Sequence, residues 1–66
     1  MLVTYIMRIA GEAPVGFKVA EEYAEKTLQA ATTELKRRGY NVATGKDFVT
    51  ATNPETGDSV TSVILR

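Results

Sequence analysis

Two glycines five residues apart, with a lysine soon after, follow the first apolar run: Gly11-Glu-Ala-Pro-Val-Gly16-Phe17-Lys18. Such a loop, joining a strand to a helix, can cradle a phosphate with backbone N–H groups and the positive end of the helix. That chemistry needs lysine directly after the second glycine, then Ser or Thr for magnesium. Here Phe17 displaces the lysine and Val19 follows Lys18, while Pro14 deletes one amide and Glu12 adds a negative charge. The segment therefore reads as an ordinary connection from strand to helix.

Lys36-Arg37-Arg38-Gly39-Tyr40 sets three cations beside an aromatic. Cations of this density can contact a nucleic-acid backbone while the ring stacks on a base. The same residues also suit the carboxyl end of a helix, where positive charge opposes the macrodipole. Because 8 basic residues balance 8 acidic ones, no global field draws the chain toward polyanions. The helix-end reading is the simpler one. A small nucleic-acid-binding module using Lys36, Arg37, Arg38 and Tyr40 stands as the alternative.

Carboxylates fall into two groups: Glu21, Glu22 and Glu25 along a helix start, and Asp47, Glu55 and Asp58 near turns. Metal binding or acid-base catalysis would need them to converge in an enclosed pocket, and solvated-face charge and turn chemistry account for all of them. With neither His nor Cys in the chain, Ser and Thr lack an ordinary activating base. The expectation is a non-enzymatic protein without cofactor or metal.

What positions these residues is one helix and a small sheet. Sixty-six residues make a single domain, 1–66, and a domain of this size buries only about 60% of the surface its unfolded chain exposes. Lacking disulfides, it has self-association as its remaining route to extra stability. The apolar opening, Met1 to Arg8, is too short to span a bilayer and lacks a basic leader or cleavage site, so a cytoplasmic protein without membrane contact is expected.

Leu2 to Ala10 reads as the first strand, apolar on both faces: Val3, Tyr5, Met7 and Ile9 on one, Leu2 and Ile6 on the other. A helix is expected over Val19 to Arg38, with Gly16 standing in as its cap. Its stripe is Ala20, Ala24, Thr27, Leu28, Ala31 and Leu35, and Gly39 stops it. Tyr40 to Ala43 and Asp47 to Thr52 suggest a hairpin around Thr44-Gly45. Asn53-Pro-Glu-Thr-Gly-Asp58 is a turn by residue type, leading to a last strand over Ser59 to Leu65.

The fold class is α+β: one long helix packed on one face of a three- or four-stranded antiparallel or mixed sheet, in the order β-α-β-β-β. The two most apolar strands, first and last, belong side by side at its centre. One helix covers one face, so either Leu2 with Ile6 or Tyr5 with Val3 and Met7 must face outward, beside part of the last strand. An exposed apolar face of that kind marks an association surface. Leu2, Tyr5, Ile6, Met7 and Val63 are its candidate residues. The function expected is a small protein-binding module, an inhibitor, adaptor or assembly subunit, associating with itself as a homodimer or with another protein through its sheet.

Overall fold

A computed structural model describes residues 1–66. Five strands and one helix follow in the order β1 (Leu2–Ile9), β2 (Val15–Ala20), α1 (Glu21–Arg37), β3 (Asn41–Thr44), β4 (Phe48–Thr52) and β5 (Ser59–Leu65). Every neighbouring pair is antiparallel, in the spatial order β2-β1-β5-β4-β3. The α+β class and the single helix are as expected, and the first and last strands do lie side by side.

Strand number and element order are corrected. The sheet has five strands, and a hairpin precedes the helix. Val15, Phe17 and Val19 alternate as a strand requires, so residues expected to form a loop and the first helical turn pair instead with β1, from Leu2↔Ala20 to Met7↔Val15. Gly11 takes φ +83° in the connection, where a side chain would be strained.

The helix begins at Glu21, directly after the strand. Ala20 occupies its cap position without a side-chain bond, while Glu21 N–H donates to Met1 O at 2.9 Å and Glu21 and Glu22 supply the acidic first turn. The other end is a Schellman stop: Tyr40 N–H donates to Leu35 O, Gly39 N–H to Lys36 O, and Gly39 takes φ +90°.

The helix lies on the face carrying Val3 and Tyr5 of β1, Val49 of β4 and Ile64 of β5. Ala24 and Leu28 meet these residues in one buried cluster, with Met7, Val19, Leu35 and Val42 packed at its margin. Small alanines let the helix sit close to the strands. Inside this layer Tyr5 Oη donates to Ser62 Oγ at 2.9 Å, so the one buried polar side chain has its partner.

Candidate functional site

Hydrogen-bond register assigns each strand residue to a face, because directly opposed residues in an antiparallel sheet share one. The face away from the helix carries a row across four strands: Gly16 beside Ile6, Ile6 beside Val63, and Val63 beside Phe48. The next row holds Lys18, Thr4 and Leu65, and Leu2 lies beyond it, opposite Ala20. Toward the other end the surface turns polar, with Arg8, Thr61 and Thr50 in one row and Ser59, Thr52 and Asn41 in another. No chain segment forms a second layer there: Leu2 is 62% exposed, Leu65 51% and Phe48 43%, while Ile6 and Val63 are half-buried between them.

Of the five expected association residues, the structure brings Leu2, Ile6 and Val63 to this open face. Tyr5 and Met7 are corrected. Tyr5 is 4% exposed and hydrogen-bonded within the core, and Met7 packs at the core margin on the helix side. Parity explains the split: Tyr5 and Met7 are odd-numbered in β1, and the odd residues face the helix. Phe48 and Leu65 join the open face without having been singled out. Their signal was the register of β5 against β1 and β4, which fixes the face of each residue. Phe48 also packs against Gly45, where an added Cβ would overlap its ring.

Charge is sorted by layer. All eight acidic residues sit on the helix or in turns, and none lies in a strand. The only charged side chains in strands on the open face are Arg8 and Lys18, and Lys18 Nζ donates to Thr4 Oγ1 at 2.7 Å.

The other candidate positions fare differently. Gly11 to Gly16 bridges two antiparallel strands and precedes no helix N-terminus, so the geometry that would cradle a phosphate is absent. At the helix end, Arg37 and Arg38 both donate to the Glu34 carboxylate, which those hydrogen bonds hold down at about 2. Lys36 is exposed, and Tyr40 is half-buried beside a groove lined by Met7, Ile9, Leu35 and Val60. No three acidic side chains converge in a manner that could hold a metal ion.

One ionic feature has no local signal in the sequence. Arg66 reaches Glu21 at the helix start (2.8 Å) and Asp47 in the β3–β4 turn (3.0 Å). Its guanidinium keeps the Asp47 carboxyl below the usual carboxylate range through a hydrogen bond, opposed by partial desolvation. Beside it a polar groove of about 630 Å³ runs between the helix and the β3–β4 turn, edged by Gln29, Thr32, Thr33 and Lys46.

No protein-family model, curated protein or solved structure matches the chain. No helix is long and apolar enough to cross a membrane.

Proposed function

We propose that this chain is a small non-enzymatic protein-binding module, acting as an inhibitor, adaptor or assembly subunit, whose docking surface is the open face of its sheet. One observation carries the reading: the apolar row of Ile6, Val63 and Phe48, extended by Leu2 and Leu65, has no layer over it. A contiguous apolar surface of a few hundred Å², rimmed by polar residues, ordinarily serves recognition. The rim indicates the partner's chemistry. With Arg8 and Lys18 as the only charges in the strands of that face, the matching surface is an apolar stripe flanked by carboxylates.

The test is affinity capture with the immobilised chain, comparing the unaltered protein with Ile6→Lys and Phe48→Lys. Both residues point away from the helix, so the core should persist and the melting temperature should move by only a few degrees. A specific partner should be lost by about tenfold or more in each variant and should hold at moderate salt. Equal capture by all three proteins would refute the reading. Oligonucleotide binding that weakens steeply with salt would favour the nucleic-acid alternative instead. For Lys36, Arg37, Arg38 and Tyr40, that alternative must first free two arginines already engaged by Glu34.

A further inference from the structure

A sheet that does not close has two edges, and the two edges of this one are unequal. At one end β3 is four residues long. At the other, β2 runs for six, from Val15 to Ala20, with only β1 beside it. The register tells which of its backbone groups are free. Glu21 N–H donates to Met1 O, and stepping back two residues at a time along the pairing with β1 turns Val19, Phe17 and Val15 toward β1. The N–H and C=O groups of Gly16 and Lys18 therefore point outward from the edge, unpaired within the sheet, while at Ala20 the carbonyl is taken up by the first turn of the helix.

Natural sheets usually blunt such an edge with a covering element or an obstructing charge. Here the helix leaves the edge bare: on its own side of the sheet, Val15 is 55% exposed and Phe17 47%. Lys18 is the one charged residue in the strand, and it leans back over β1 to Thr4.

We infer that β2 pairs antiparallel with β2 of a second copy about a two-fold axis at Phe17, joining two five-stranded sheets into one of ten strands. The strand is self-complementary in that register. Phe17 meets Phe17 of the second copy, Val15 meets Val19, and Lys18 meets Gly16, which has no side chain to displace. Gly16 and Lys18 are then the residues whose free N–H and C=O groups bond across the axis. Shifting the axis by one residue, to Lys18, would put two lysines directly opposite each other, a pairing that costs stability. Phe17 already stacks on Tyr5, with ring centroids 5.0 Å apart, so it enters the contact held in place. In this arrangement both helices lie on one side, and the two open faces form a continuous surface on the other.

A six-residue edge on a molecule 15 Å thick gives a contact below about 1,200 Å² in total, at the small end of specific interfaces. Contacts of that size form weak, concentration-dependent dimers. The edge and the open face are separate surfaces, and either can fail without the other.

The chain has no cysteine, so single substitutions report contacts without ambiguity. Phe17→Cys and Lys18→Cys are oxidised under identical conditions, while light scattering after size exclusion follows the unaltered chain over micromolar to millimolar concentration. The expected results are a mass rising toward twice 7.2 kDa, a disulfide dimer from Phe17→Cys, and at most traces from Lys18→Cys. Should Phe17→Cys fail to fold, a mixture of Val15→Cys and Val19→Cys chains must give the mixed dimer in its place. A monomer at every concentration overturns the inference. So does a dimer that crosslinks through Lys18→Cys alone, or one that none of these cysteines can lock. Loss of the captured partner in Ile6→Lys with crosslinking intact would separate the two surfaces.

Discussion

Removing the Tyr5 hydroxyl should destabilise the fold more than the loss of one oxygen suggests. Tyr5 Oη and Ser62 Oγ are 2.9 Å apart, with Ser62 1% exposed and Tyr5 scarcely more. Phenylalanine at position 5 keeps the ring and its stacking on Phe17 but leaves the serine hydroxyl buried without its donor. An unsatisfied buried hydroxyl costs about 1–3 kcal/mol, against a net value near 1 kcal/mol for an ordinary hydrogen bond. Tyr5→Phe and Ser62→Ala should therefore each cost about 1–2 kcal/mol. In the double variant both polar groups are gone and no orphan remains, so its cost should be close to that of one single variant. The coupling between the sites then comes to about 1–2 kcal/mol. Urea unfolding followed by circular dichroism measures it, and each kcal/mol should also shift the melting midpoint by roughly 4–8 °C in a domain of this size. Strictly additive costs would refute the reasoning, since they would mean that the two hydroxyls do not depend on each other.

Leu28→Ala should cost about 2–4 kcal/mol, because Leu28 is the largest helix side chain in the central cluster; Leu35→Ala, at the cluster margin, should cost less, and thermal melts of the two rank them. The Glu34 carboxyl, held at about 2 by its hydrogen bonds to Arg37 and Arg38, contributes stability above its ordinary value of 4.5 and loses it as the pH falls toward 2. An NMR titration should find Glu34 still ionised well below its ordinary value of 4.5, and Arg37→Ala with Arg38→Ala should return its midpoint toward that value. Arg66→Ala should release the helix start from the β3–β4 turn with only a small loss of stability, since all three side chains are over a third exposed or nearly so. That loss should shrink in high salt, as melts at two ionic strengths can establish.

The parts legible in the sequence were those with local causes. Gly39 ended the helix because a left-handed residue was needed there and the cations before it suited a carboxyl end. The Asn53–Asp58 turn formed as its residue types require: Asn53 Oδ1 accepts from Glu55 and Thr56 N–H, and Gly57 takes φ +78°. The β1–β2 hairpin was obscured because Pro14 and Gly16 both read as loop residues, although Val15, Phe17 and Val19 kept a strand's alternation. The face of β1 that would meet the helix was open to either choice, since both faces are apolar; Tyr5 is drawn inward by Ser62, 57 residues away. The Arg66 clamp joins positions 19 and 45 residues apart, a distance over which no pattern of neighbouring residues carries information.

The pairing of β1 with β5 has a consequence for how the chain is made. β1 leaves the ribosome well before β5 and finds this central neighbour only when residues 59 to 65 have been synthesised. Until then the hairpin and helix can form while the middle of the sheet stays unzipped, with Val3 and Tyr5 lacking Ile64 against them. Translation must therefore run nearly to Arg66 before the domain can close, and a nascent chain stalled short of β5 would offer greasy, unpaired strands to chaperones or proteases.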